Sequence, residues 1–104
     1  AKAIDNLEEL TGVVIDRSKT NANEIGAASV EYLHVFGYTA YAYMWAKMAK
    51  AANARLADDS DGFYQAKIGT GRFFVKRLLP RIHSLSESVR AGSESLYELD
   101  AAQF

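Results

Sequence analysis

The strongest constraint on the fold is a row of apolar residues that recurs in alternating steps of four and three along the second half of the chain. Steps of this size place side chains on one side of an α-helix and do not fit the two-residue period of a β-strand. The row predicts a helix over about residues 61–91, ended by Ala91-Gly92. Pro80 predicts a kink in it, because proline lacks a backbone donor and crowds the carbonyl four residues earlier. The row consists of Tyr64, Ile68, Gly71, Val75, Leu78, Ile82, Leu85 and Val89.

A second helix is predicted at the start of the chain, over about residues 1–18, because Ala3, Leu7, Leu10 and Val14 recur at helical spacing. No Ser, Thr, Asn or Asp precedes Ala3 to cap its first turn. We therefore expect the sequence to be a piece of a longer chain.

A third helix is predicted between these two, over about residues 22–57. Asn21 and Glu24 have the spacing of a capping box, and the acidic turn at 58–62 suits the start of the next helix. Two apolar rows follow the helix, so we expect it to be covered on more than one side. The main row is Val30, Leu33, Gly37, Tyr41, Met44 and Met48, and the second is Tyr32, Phe36, Ala40 and Tyr43.

Together these patterns predict a single all-α domain over residues 1–104: an elongated up-down bundle of three main helices plus a short C-terminal turn. Ser95 and Glu98 would cap that turn, and the apolar residues Leu96, Tyr97, Leu99 and Phe104 would fold back as a lid. The first helix, about 27 Å long, would cover only about half of the two longer ones. Apolar surface would then remain uncovered, which is typical of an interface.

Aromatic residues are the candidates for that interface, although core packing explains the same cluster. Tyrosine, tryptophan and phenylalanine are enriched at protein interfaces. The candidates are Tyr38, Tyr41, Tyr43, Trp45, Phe73 and Phe74.

The residues supply no catalytic, cofactor-binding or metal site that we can predict. Glu31 and His34 have the spacing of a carboxylate–histidine pair in a di-iron bundle, but the second copy of that motif is missing. Gly69 and Gly71 lie within a helical pattern, so we expect them, with Gly37 opposite, to allow close helix packing rather than to hold a phosphate. The chain contains no cysteine, which excludes thiol chemistry.

Charge and hydropathy exclude two classes of partner. The formal net charge is −1, so no overall field favours nucleic acid, and we expect the six basic residues of 61–91 to form mainly a solvated face. The longest uncharged stretch, 32–46, is shorter than the roughly 20 residues that span a bilayer. We expect a cytoplasmic protein without a membrane span.

Two ordered blocks carry a resemblance to a known family. Tyr32-Leu33-His34-Val35-Phe36-Gly37 is followed by Met44-Trp45-Ala46-Lys47-Met48-Ala49, and the second block runs from Phe63-Tyr64-Gln65-Ala66-Lys67-Ile68 through Arg72-Phe73-Phe74 to Leu78-Leu79-Pro80-Arg81. Over about residues 20–104 the chain resembles the C-terminal helical extension of acyl-CoA dehydrogenases of the 3-methylmercaptopropionyl-CoA dehydrogenase type. It departs from that family at Gly69, Gly71 and His34.

The resemblance implies a role in a larger flavoenzyme. Such enzymes use FAD to form an α,β double bond in an acyl-CoA thioester, and their flavin contacts and catalytic carboxylate lie in the dehydrogenase body upstream of the extension. No catalytic residue carries over to this sequence, and no cofactor is expected within it. The implied partners are the dehydrogenase body of the same chain or a neighbouring subunit, in a homo-oligomer.

Two alternatives stay open. The first is a stand-alone helical module that self-associates through its apolar rows. The second is an acyl-CoA-binding or lipid-binding bundle that uses the groove between the helices predicted over 22–57 and 61–91 and the basic side of the latter.

Overall fold

The computed structural model describes residues 2–104, and every regular element in that range is helical, which confirms the predicted all-α class. Ala1, the predicted first residue of the first helix, lies outside the described residues. The α-helices are α1 (Lys2–Ser18), α2 (Asn23–Asn53), α3 (Phe63–Phe73), α4 (Ile82–Arg90) and α5 (Glu94–Tyr97). Short 3₁₀ turns cover Leu56–Asp58, Leu79–Arg81 and Ala101–Gln103, and a π-helical turn covers Phe74–Leu78. None of the helices in the described range is long and apolar enough to cross a membrane.

The chain divides into two compact units. Unit 1 consists of residues 1–36 and 82–104, and unit 2 consists of residues 37–81. Helix α2 contributes its first part to unit 1 and its remainder to unit 2.

The core of unit 1 is small and is joined by polar pairs that lie far apart in the sequence. Leu10 of α1 is completely buried, and the buried apolar residues around it come from α1, α2 and α4: Leu10, Ala28, Val35, Ile82 and Val89. Asn6 donates a hydrogen bond from Nδ2 to the buried Ser86 Oγ at 3.0 Å and accepts one at Oδ1 from Arg90 at 3.1 Å. These bonds hold α1 on α4 in one register.

The core of unit 2 is aromatic and contains small residues. Phe74 is 7% exposed, and its ring lies 6.4 Å from that of Tyr38 and 6.3 Å from that of Tyr41. Trp45 lies against the buried Gly71, where an added Cβ would sit 3.6 Å from the indole. The predicted packing role of glycine is thus supported at Gly71 alone, because a Cβ at Gly69 or at Gly37 would meet nothing within 4 Å.

The helix predicted over 61–91 is irregular in its middle, near the kink predicted at Pro80. Regular α-helix stops at Phe73 and returns at Ile82; a π turn precedes Pro80 and a 3₁₀ turn contains it. The missing proline N–H and its steric demand explain why the backbone leaves α-geometry here. Within the π turn the apolar row changes register: Phe74 is buried while Val75 is exposed.

Acidic residues cap α3 as the sequence predicts. Asp59 accepts hydrogen bonds from the backbone N–H of Tyr64 at 3.2 Å and of Gln65 at 3.1 Å, and Asp61 accepts one from Phe63 at 3.1 Å. The carboxylates satisfy backbone donors that the first helical turn leaves free. Gly92, with φ of 77°, ends the turn after α4, which confirms the predicted stop.

The predicted capping box at the start of α2 is wrong. The Asn21 side chain accepts a bond from the N–H of Asn23 at 3.0 Å, but the Glu24 carboxylate reaches Ser93 instead. Glu24 Oε1 accepts bonds from the Ser93 hydroxyl at 2.7 Å and from its backbone N–H at 3.3 Å. Glu24 therefore forms a tertiary contact with Ser93 instead of the predicted local contact with Asn21.

The predicted apolar lid at the C-terminus is also wrong. Its four residues are all exposed: Leu96, Tyr97, Leu99 and Phe104. The last 3₁₀ turn is held by its own capping box, in which Gln103 Oε1 accepts a bond from the Asp100 N–H at 2.7 Å. Local capping therefore fixes this end of the chain.

Candidate interaction surface

The main apolar row of α2 is exposed rather than buried. The buried residues of α2 are Ala28 and Val35 in unit 1 and Thr39 and Ala52 in unit 2. The main row, called here the outer face of α2, is exposed: Val30 and Leu33 lie in unit 1, and Tyr41, Met44 and Met48 lie in unit 2. The sequence predicts that α2 is covered on more than one side, whereas its main apolar row is exposed in the structure.

The outer face of α2 carries little charge. Between Glu31 and Asp58 the charged side chains are Lys47, Lys50 and Arg55, and Lys47 lies over the ring of Tyr43 with its ammonium 5.4 Å from the ring centre. Exposed apolar side chains of this kind are costly in water and are typical of a binding surface.

The six predicted interface aromatics all lie in unit 2 but differ in accessibility. Tyr41, Tyr43 and Phe73 are exposed, whereas Phe74 is a core residue. Tyr38 and Trp45 are half-buried, and the Tyr38 hydroxyl accepts a hydrogen bond from Arg81 at 3.2 Å. The structure brings Tyr38 and Tyr41 together around Phe74.

Unit 1 carries an open groove between α1 and α2 with a volume of about 540 Å³. Its walls are almost entirely apolar: Val14, Ile25, Ala28, Ser29, Tyr32, Leu33 and Phe36. The Tyr32 hydroxyl is hydrogen-bonded to the hydroxyl of Thr11, so this polar atom is occupied within the unit. A groove of this size and lining suits an apolar ligand or the side chains of a partner.

The polar residues singled out by the sequence do not assemble into a reactive site. His34 is exposed and Glu31 is half-buried. Within residues 2–104, no three His, Asp or Glu side chains lie close enough to hold a metal ion together. Gly69 and Gly71 lie inside α3, where backbone N–H groups serve the helix, so these residues do not fit a phosphate or flavin site.

Sequence reasoning predicted uncovered apolar surface on the long helices, but it did not assign that surface to the main row of α2 and did not predict the groove between α1 and α2. Both sides of α2 are apolar, so periodicity alone does not decide which side is buried. Small buried residues such as Ala28 and Ala52 were the sequence signal that could have indicated which side of α2 is buried.

Comparison with known protein families gives a match over most of the chain. The family model described as acetyl-CoA dehydrogenase C-terminal like matches residues 1–100 of the chain. No curated protein and no solved structure matches it.

Proposed function

Because the chain belongs to the acetyl-CoA dehydrogenase C-terminal-like family, we propose that it is the non-catalytic C-terminal domain of a cytoplasmic, FAD-dependent acyl-CoA dehydrogenase. Its role is to dock on the dehydrogenase body of the same chain or of a neighbouring subunit, as in enzymes of the 3-methylmercaptopropionyl-CoA dehydrogenase type. FAD would supply the oxidation chemistry in the parent enzyme, and the family resemblance implies that its contacts lie on the dehydrogenase body.

The observation that carries the docking role is the outer face of α2. Leu33 is 67% exposed and Val30, Tyr41 and Met44 are also exposed, although each is a residue type normally withdrawn from water. Covering these side chains would yield roughly 25 cal/mol for each Å² of apolar area removed from water.

The test compares two leucines of similar exposure in the full-length protein. Leu33 lies on the outer face of α2, and Leu96, 64% exposed, lies on α5. We expect Leu33→Asp to weaken assembly and lower FAD content and acyl-CoA oxidation, because an aspartate would be buried at the docking surface. We expect Leu96→Asp to change none of these quantities.

Three readouts distinguish the outcomes. Acyl-CoA-dependent dye reduction reports activity, flavin absorbance reports FAD content, and proteolysis reports release of the domain from the body. Equal behaviour of the two variants in all three would contradict docking through α2. A full-length protein that oxidises no acyl-CoA would contradict the proposed enzyme class itself.

The groove of unit 1 favours a second candidate, the binding of an acyl chain. Its volume of about 540 Å³ lies within the range of roughly 300–1,000 Å³ that is typical of small-molecule sites. Titration of a fluorescent long-chain acyl-CoA tests this candidate. Leu33→Ala would widen the groove and Ser29→Trp would fill it, so saturable binding that Ser29→Trp abolishes would support it, and no saturation would reject it.

A further inference from the structure

Unit 2 contains an open pocket between α2 and the segment that runs from α3 into the π turn. The proposed function does not use this pocket. Its volume is about 290 Å³, close to the lower limit of roughly 300 Å³ for typical small-molecule sites. Every residue that lines it lies within residues 37–81, so the pocket belongs to one compact unit. A pocket of this size suits a small molecule.

The shape of the pocket follows from residues with little or no side chain. Ala46 and Ala49 of α2 and Gly71 of α3 line it, and none of the three has a side-chain atom beyond Cβ. Trp45 packs against Gly71, where an added Cβ would sit 3.6 Å from the indole, and Trp45 also lines the pocket. The indole thus borders the space that the small residues leave. An aromatic wall favours a flat apolar ligand, because aromatic groups pack well on one another.

Arg72 supplies the charge of the pocket. Among the described lining residues it alone is charged, and it forms no ion pair with any residue in the range 2–104. The planar guanidinium matches a carboxylate through two parallel hydrogen bonds. A single cation balances one carboxylate, whereas a phosphate group with about two negative charges would leave charge uncompensated against an apolar lining.

The electrostatic field of unit 2 also favours an anion in this pocket. The unit has eight basic and three acidic side chains, a formal charge of +5. The three carboxylates are Asp58, Asp59 and Asp61, which precede the first turn of α3. Arg72 lies eleven residues after Asp61, about 16 Å along a helix axis. This exceeds a Debye length of about 8–10 Å, so the carboxylates of the unit do little to weaken anion binding at Arg72.

We propose that this pocket binds a small carboxylic acid with a flat apolar body. The carboxylate pairs with the guanidinium of Arg72, and the body packs on Trp45 and on the aliphatic side chains of Ile68 and Val75, which complete the lining. The proposal rests neither on docking of the outer face of α2 nor on acyl-chain binding in the groove of unit 1. It assigns a second, independent binding site to the domain.

The experiment is a titration of the 104-residue chain followed by tryptophan fluorescence. Trp45 is the single tryptophan of the sequence, so a change in its emission reports this pocket. The probe is 3-phenylpropionate, and 3-phenylpropionamide has the same shape without the charge. We expect saturable binding of the acid with a dissociation constant below about 1 mM, and binding of the amide at least about tenfold weaker.

Two pairs of variants locate the site. Arg72→Gln and Arg77→Gln each remove one charge from an exposed arginine of unit 2, but Arg77 does not line the pocket. Ala46→Phe places a ring in the pocket, whereas Ala40→Phe places one at another exposed alanine of α2. We expect Arg72→Gln and Ala46→Phe to raise the dissociation constant of the acid at least about tenfold, and the two controls to change it less than about twofold.

Several results would overturn the proposal. The absence of saturation up to about 10 mM acid would do so, as would equal binding of the acid and the amide, a comparison that needs no variant. Equal losses in Arg72→Gln and Arg77→Gln would show that net charge alone matters. Tighter binding of adenosine 5′-monophosphate than of 3-phenylpropionate would assign the pocket to a nucleoside phosphate instead. Circular dichroism of each variant establishes that it is folded.

Discussion

The two units of this chain are stabilised by different kinds of interaction. Unit 1 joins helices through polar side chains that are distant in sequence, as in the pairs Asn6–Ser86 and Glu24–Ser93. Unit 2 relies on aromatic packing around Phe74 and on carboxylate caps such as Asp59. Hydrogen-bonded pairs specify one register, whereas aromatic packing supplies more burial for each residue. We therefore expect unit 1 to be sensitive to lost polar partners and unit 2 to lost volume.

The largest expected effect is that of Phe74→Ala in unit 2. Phe74 is 7% exposed and contacts two tyrosine rings, so its removal should lower the free energy of unfolding by about 3–5 kcal/mol. The neighbouring Phe73, 56% exposed, provides the control, and Phe73→Ala should cost less than about 1 kcal/mol. Urea denaturation followed by circular dichroism measures both. Equal losses would show that Phe74 is not the centre of the unit 2 core.

The next largest effect tests the polar pair of unit 1. Glu24→Ala removes the acceptor of both Ser93 bonds and should cost about 1.5–3 kcal/mol, because a charged acceptor is involved and Ser93 is buried. In a double-mutant cycle with Ser93→Ala, the two losses should sum to more than the loss in the double variant. Strict additivity would show that the two side chains act separately.

A smaller effect of opposite sign is expected from Thr39→Val in unit 2. Thr39 is buried, and its hydroxyl has no hydrogen-bond partner among the described residues. Valine keeps the shape and removes the unsatisfied group, so we expect a gain of about 1 kcal/mol in thermal unfolding experiments. Thr70 is the control, because its exposed hydroxyl donates to the Ala66 carbonyl at 2.9 Å. A loss of stability in Thr39→Val would show that the hydroxyl is satisfied in solution.

The smallest effect concerns the glycines of unit 2. Gly69→Ala should stabilise α3 by about 0.5–1 kcal/mol, since an added Cβ meets no atom within 4 Å and alanine favours helix. Gly62→Ala should instead destabilise the turn by about 1 kcal/mol, because Gly62 has φ of 82°. The difference between the two melting temperatures is the measurement. Similar shifts would mean that backbone conformation at Gly62 changes readily.

Much of the fold follows from the sequence where a helix has one clearly apolar side. Leu10 and Val89 are buried as their rows predict, and Asp59 caps α3. The prediction failed for α2, whose two sides are similarly apolar, and at Phe74, where the π turn shifts the register. The Glu24–Ser93 pair joins residues that are 69 positions apart, so no local pattern indicates it. Because the two sides of α2 are similarly apolar, the sequence also did not predict that the outer face of α2 is exposed.

The π turn at Phe74–Leu78 is followed directly by the 3₁₀ turn at Leu79–Arg81. A π turn winds less per residue than an α-helix and a 3₁₀ turn winds more, so the two deviations offset each other. After Pro80, Ile82 and Val89 of the predicted row are buried within unit 1. Deleting one residue from the π turn would convert it to an ordinary α-helical turn. The extra rotation of the 3₁₀ turn would then no longer be offset. Such a deletion would rotate α4 about its own axis and present a different set of side chains to water.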